Sequence, residues 1–512
     1  MTHQILYRSR EGTGVLTWNG SVLEDLSSFN FVEDTLDSCW SSDGSSLFVS
    51  TPETINVYSG SSLSNFVTLS VPNLAAYTPS PSGAYVASIS RPVPASSTSH
   101  NFFIHRISDQ KVLFSSFVPK FNVDQWPYIS FSADERFAVL TSPQAVSFLS
   151  LSSSDQFSPS SKLPYPPSIG TYHVIIFIKQ HESSAHLLLV LSIPSLLALS
   201  GKLGPTILHR YVVGNANDIE IHWSYSRTHP FAIVLAAFDV DTSNTSYHGI
   251  NRAFYVPLVG SKNSIKRLSL PDGPTHSVTI HPKTSEILVL AGFNPCVGVF
   301  FDHHGNQKDV HLPRRNQSEV KYSPGGSLIA VGGFGNLRSG YCFYKTYPGI
   351  SVHSECPEIE NVTSWSWLVN GSGCLIATTC PRLRVGNFLG ILGNNCEMFA
   401  KREFDVLYTA VIRPFRGDAS QLNDLVLQVV HKQKSHSGAY LPPSLRDKVV
   451  ERTTTSLAEL GGEDMTVKRQ VVSSLPPGVS EQYLKPKNSK KKKKKGGKGG
   501  SGEMAFEITE FS

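Results

Sequence analysis

The sequence predicts an all-β protein, a β-propeller of WD-repeat type with nine four-stranded blades followed by a disordered basic C-terminal tail. Three observations lead there. Only 17% of the 512 residues are charged, while 38 glycines and 32 prolines favour strand and turn over helix. One local pattern recurs, in which an aromatic or apolar residue precedes a short turn of Ser, Pro, Asp or Gly and then an apolar run. The turns return every 39 to 57 residues, near the ~40 to 45 of a propeller blade.

Taken in order, the clearest copies are CWSSDGSSLFVS from Cys39, YTPSPSGAYVAS from Tyr77, ISFSADERFAVL from Ile129, VKYSPGGSLIAVGG from Val320 and SWLVNGSGCLIATT from Ser366. Weaker ones begin at Ile175, Ile221, Val278 and Ala410, which makes nine turns centred near Asp43, Ser82, Asp134, His181, Ser226, Lys283, Gly325, Asn370 and Gly417. A lone four-stranded sheet has more apolar face than it can bury, and radial stacking of blades is the physical reason for such a repeat. Two β-sandwiches would share the turns but not an even period over 400 residues, whereas two propellers of fewer blades each would fit the period as a single nine-bladed one does.

The propeller is expected over residues 1–430, a Pro/Ser-rich, mostly disordered extension over 431–484, and a Lys-rich disordered tail over 485–512. That tail holds nine lysines against Glu503, Glu507 and Glu510, a net +6 within a chain total of +5, which leaves −1 for residues 1–484. The basicity is a property of the tail. The opening MTHQILYRSREG has no basic segment leading into an apolar one, and Leu187–Leu199, the longest apolar stretch, is interrupted by Pro194. A soluble, cytoplasmic protein without membrane contact is expected. The seven cysteines form no Cys-x-x-Cys pair and read as buried thiols in a reducing compartment.

Motifs for catalysis are missing from the sequence. There is no Gly-x-Ser-x-Gly elbow, and GGFGNLRSG over Gly332–Gly340 lacks the Lys-Ser/Thr that clamps phosphate in a nucleotide loop, so its glycines are read as close strand packing. FDHHGN reads as a hairpin turn with Gly305-Asn306 at its tip, since adjacent strand residues such as His303 and His304 point to opposite faces. Asp239 and Asp241 share a face and suit a cation or solvent. No catalytic residue, cofactor or metal is assigned, and the protein is expected not to be an enzyme.

The binding candidates are basic. Lys485, Lys487, Lys490, Lys491, Lys492, Lys493, Lys494, Lys495 and Lys498 make a polycation that neutralises phosphates without reading bases, suited to mRNA or rRNA. On the body, CPRLRV places Arg382 and Arg384 on one side of an expected extended run, as two guanidinium forks for phosphate or for acids of a neighbouring blade. Lys401, Arg402, Arg413 and Arg416 extend that patch, and Arg314 and Arg315 are expected in a loop.

Four stretches together resemble one known family: FDVDTSNTSYHG from Phe238, VKYSPGGSLIAVGGFGNLRSG from Val320, ATTCPRLRVGN from Ala377 and AYLPPSLR from Ala439. In order and content they are similar to the eukaryotic translation initiation factor 2A family, a monomeric factor distinct from the alpha subunit of heterotrimeric factor 2. The resemblance runs from the N-terminus to about Arg446. It implies a nine-bladed propeller that acts on the small ribosomal subunit without catalysis. It further implies help in delivering initiator methionyl-tRNA in a codon-dependent, GTP-independent way, alongside other initiation factors. The family's tail continues into charged helices, whereas here the Lys run is followed only by GGKGGSGEMAFEITEFS, so propeller docking is the stronger inheritance and tRNA binding the weaker. The alternatives are a scaffold of initiation factor 3 type and, with no motif in its favour, a propeller hydrolase.

Overall fold

The computed structural model describes residues 2–91, 100–118, 126–132, 134–141, 145–151, 156–164, 172–179, 186–193, 206–214, 218–224, 230–238, 250–257, 265–333, 339–356, 359, 362–415, 421–429 and 508–510. Across these residues the fold is built on one repeated turn. At residues 41–45, 80–84, 132–136, 323–327 and 368–372 the first N–H donates to the C=O five residues on, and the fourth N–H donates back to the first C=O. The fourth residue takes a positive φ, which is why glycine stands at 44, 83, 326 and 371. In two of these turns the third residue is an Asp that finishes the loop: Asp43 accepts from Ser41 Oγ and Ser45 N, and Asp134 from Ser132 Oγ and Arg136 N. The Ser-x-Asp-Gly signature is thus a five-residue hairpin with its own side-chain cap.

Among the described residues the strands assemble into nine sheets and no α-helix is present. Seven of the sheets are four-stranded antiparallel meanders, spanning 37–70, 74–116, 129–164, 218–267, 275–315, 319–356 and 364–404. They are called the second, third, fourth, sixth, seventh, eighth and ninth sheets here. The fifth departs from the meander: Tyr172–Lys179 lies between His186–Ile193 and Thr206–Gly214, and the latter also pairs with Ile508–Glu510 from near the C-terminus. The first sheet holds His3–Ser9, Gly12–Trp18, Leu23–Asp25 and Val32–Glu33, with Leu407–Ile412 added to the edge of His3–Ser9. Strands from opposite ends of the propeller sequence therefore share a sheet. This is a correction to the ninth repeat read from Ala410: Leu407–Ile412 is a closing strand, and residues 421–429 that follow form no strand.

Burial shows what holds the sheets. Second strands such as Ile287–Ala291, Leu328–Gly333 and Gly373–Thr378 are buried along their whole length. An edge-exposed sheet would alternate; a sheet sandwiched on both sides does not. Within Leu328–Gly333, Leu328 and Ala330 pack toward Trp365, Trp367 and Ile376 of the ninth sheet, while Ile329 and Val331 pack toward Leu288 and Leu290 of the seventh. Leu47 and Val49 likewise face the first sheet and Phe48 the third. Such face-to-face packing runs from the sixth sheet through the ninth and the first to the fourth. Cys356 at the end of the eighth sheet is bonded to Cys396 in the ninth, which corrects the reading of all seven cysteines as thiols. A repeat-length spacing places them on neighbouring blades, where no sequence motif marks the pair.

Arg413 fastens the closure. Its Nε donates to Gly44 O at 2.6 Å, Nη1 donates to Gln4 Oε1 at 2.6 Å and to Gly60 O at 3.1 Å, and its guanidinium lies 5.0 Å from the Trp40 ring centre. Arg413→Ala removes these contacts together, and the expected cost is about 1–3 kcal/mol. A chemical-denaturation midpoint that does not move would show that Arg413 contributes nothing to closure.

Candidate nucleic-acid interface

The loop that carries Arg382 and Arg384 joins Gly373–Thr378 to Asn387–Gly393 in the ninth sheet. It is a turn, not the extended run expected from its sequence. Pro381 has no N–H for a ladder, and the chain closes instead through Leu383 N donating to Thr379 O at 3.0 Å. Asn387, 1% exposed, braces it by donating from Nδ2 to Leu383 O (2.9 Å) while accepting from Leu407 N on Oδ1 (2.9 Å). Cys380 N donates to Leu407 O, and Thr379 N to Thr363 Oγ1. The turn is therefore fixed at both ends by the propeller body before anything binds.

From this base Arg382 and Arg384 project as exposed side chains, with Val385 between them and the following strand at 81% exposure. Neither guanidinium forms an ion pair with a described residue. Among the described residues, no acid of a neighbouring blade, one of the two expected partners, pairs with them. A charged fork fixed at its base and, among the described residues, unpaired at its tip is chemically suited to phosphate oxygens.

The other body cations belong elsewhere. Lys401 pairs with Glu403 at 3.0 Å and lies 4.7 Å from the Phe388 ring centre. Arg402 reaches Asp25 of the first sheet at 2.8 Å and stacks over Tyr7 and Phe404. With Arg413 they join sheets and do not extend the Arg382/Arg384 patch. Arg314 and Arg315 end the strand Gln307–Arg315, where a loop had been expected, and Arg315 bonds Glu355. Arg416, Asp239, Asp241 and every lysine of the tail, Lys485 to Lys498, lie outside the described residues.

The remaining motifs are structural where they are described. Asp302 caps a hairpin by accepting from His304 N and Asn306 N, as FDHHGN predicted, with Gly305 at positive φ. Gly332 and Gly333 are buried in the strand Leu328–Gly333. Among the described residues no group of His, Cys, Asp and Glu could hold a metal, and no helix is long and apolar enough to cross a membrane. Burial pushes the Cys39 thiol up to about 12 and raises those of Cys296, Cys342 and Cys374, so these four stay protonated near neutral pH and are poor nucleophiles.

A family model described as "Eukaryotic translation initiation factor eIF2A" matches residues 213–410. Curated relatives of the same description include the protein of Saccharomyces cerevisiae, 32% identical over 180 residues, and that of Dictyostelium discoideum, 24% identical over 394. The first alignment covers 34% of this chain and 28% of the relative, the second 73% and 61%. The chain thus spans less than two thirds of either relative's length. A solved structure titled "Crystal structure of the eukaryotic initiation factor" superposes with a TM-score of 0.63 at 21% identity, covering 81% of this chain and 99% of that one.

Proposed function

The family model and the curated relatives support the eIF2A family for this chain, and on that premise we propose that it is a noncatalytic translation initiation factor whose propeller docks on the small ribosomal subunit. The observation that carries the proposal is the preformed turn with Arg382 and Arg384 exposed and unpaired with described acids. The turn lies within the family-matched segment. The subunit surface is largely RNA phosphate, and a rigid fork loses little entropy on binding it. The lysines from Lys485 to Lys498 then capture mRNA or rRNA without sequence preference. Docked in this way, the factor assists codon-dependent, GTP-independent delivery of initiator methionyl-tRNA together with other initiation factors, in the cytoplasm.

The experiment is co-sedimentation of the full chain with isolated small ribosomal subunits at low and moderate salt. Arg382→Ala/Arg384→Ala is expected to lower the bound fraction by roughly ten- to a hundredfold in affinity, two charge-assisted contacts being lost. Binding by the double variant equal to that of the parent would remove the turn from the docking surface. No binding by either would leave a scaffold of another RNA–protein complex as the better description.

A further inference from the structure

The turn at 323–327 has the backbone of the other hairpins but lacks the carboxylate that two of them carry. Where the second and fourth sheets have Asp43 and Asp134, the eighth has Gly325. The missing group comes from a residue 99 positions further on. Asp424 Oδ1 accepts from Gly325 N (2.8 Å), and Oδ2 accepts from Ser323 Oγ (2.6 Å), Ser327 N (2.8 Å) and Ser327 Oγ (2.6 Å). Two of these donors, Ser323 Oγ and the fifth-position N–H, are the ones that Asp43 and Asp134 serve from inside their own turns.

Space is made for this carboxylate from two blades. A Cβ on Gly325 would stand 2.8 Å from Asp424 Cγ, and one on Gly371 would overlap Asp424 Oδ1. The flanking residues of the segment 421–429 bond to two further sheets, the seventh and the ninth. Lys283 Nζ donates to Asn423 Oδ1, Leu425 N to Asn370 O, Asn394 Nδ2 to Leu425 O, and Leu427 N to Asn394 Oδ1. Apolar burial contributes little, because Leu425 and Val426 remain 54% and 39% exposed. The hold is concentrated in one side chain, Asp424, whose donors include Ser323, itself 1% exposed.

We propose that the Ser323–Ser327 turn is a carboxylate site whose ligand is this chain's own segment 421–429. The segment acts as a latch that fixes the root of the C-terminal extension to the seventh, eighth and ninth sheets. It releases when the carboxylate is lost, or when one is supplied from within the turn. Glycine at 325 is what keeps the site open for the latch.

Amide hydrogen exchange on the full chain tests this. In Asp424→Ala the amides of Leu425 and Leu427, and that of Ser327, are expected to exchange roughly ten- to a hundredfold faster. In Gly325→Asp the new side chain competes for the same donors, so the amides of Leu425 and Leu427 speed up while that of Ser327 keeps its protection. Adding Asp424→Ala to Gly325→Asp should change nothing further. Asp424→Asn, which keeps the shape but not the charge, falls between parent and Asp424→Ala. The latch is overturned if Leu425 and Leu427 exchange at parental rates in Asp424→Ala, or stay protected in Gly325→Asp.

Discussion

A chain ended after Phe404 is expected to lose cooperative folding, whereas one ended after Phe415 keeps it. The difference between the two is residues 405–415, which hold Arg413 and the strand Leu407–Ile412; the strand pairs with Ile5–Ser9 and buries Leu407 and Ile412 against Leu16, Trp18, Leu375 and Leu389. Without it the edge of His3–Ser9 is open, and the first sheet loses its backbone pairing to the end of the propeller sequence, with side-chain contacts such as Arg402 to Asp25 left to hold it to the ninth sheet. Among the described residues the sheets from the seventh through the ninth and the first to the third bury both faces because a neighbour stands on either side, so opening the seam between the first and ninth sheets exposes two apolar faces at once. Single substitutions scale accordingly: Leu407→Ala, fully buried, should cost about 2–5 kcal/mol. Circular dichroism melts and gel filtration of the two truncations read the result. A chain ending after Phe404 that melts with the midpoint and sharpness of the longer one would mean that closure is dispensable. Because Phe415 precedes 421–429, the comparison leaves the Asp424 latch out of both chains.

The repeat was legible because its physics is local. A positive φ at the fourth turn position calls for glycine, and a serine two residues before an Asp completes the cap, so CWSSDGSS and ISFSADER carry their conformation in a few residues. The first sheet was not legible, since its hairpin turns through Arg10 and Glu11 between Ser9 and Gly12 and has none of that signature. Its fifth strand comes from residues 407–412, and pairing between ends of the propeller sequence leaves no local trace. The anchor at Gly417 lies outside the described residues, and the residues after it turn out to be a strap, not a hairpin.

The candidate site was legible in composition but not in geometry. Arg382 and Arg384 stood out as two guanidiniums two residues apart; the alternation that put them on one face presumes a strand, which Pro381 prevents. Lys401, Arg402 and Arg413 looked equally suitable as sequence, and only their partners, Glu403, Asp25 and the Gly44 turn, remove them. The latch left a faint mark. Gly325 is a glycine where the other strong copies of the turn carry Asp43, Ser82, Asp134 or Asn370, and a missing cap implies a donor set that something else must satisfy.

Deleting residues 485–512 should weaken binding to single-stranded RNA by about a hundredfold or more near 50 mM salt and flatten its salt dependence; because the deletion also removes Ile508–Glu510 from the fifth sheet, the melting temperature of the shortened chain is measured beside it. The segment carries nine lysines and three glutamates, while residues 1–484 sum to −1, so almost all long-range attraction for phosphate resides there. Each phosphate neutralised on a single strand contributes about −0.7 to the slope of log affinity against log salt. Six lysines engaged would give a slope near −4, against roughly −1 to −2 for a body that contacts RNA through Arg382 and Arg384 alone. Fluorescence anisotropy with a short labelled RNA, between 50 and 300 mM salt, separates the two contributions. Tail deletion should change the slope most, and Arg382→Ala/Arg384→Ala should subtract one or two contacts from whatever remains. Equal slopes with and without residues 485–512 would show that the lysines do not touch RNA. The specific hold on the subunit would then rest on the propeller alone, and its affinity should survive moderate salt.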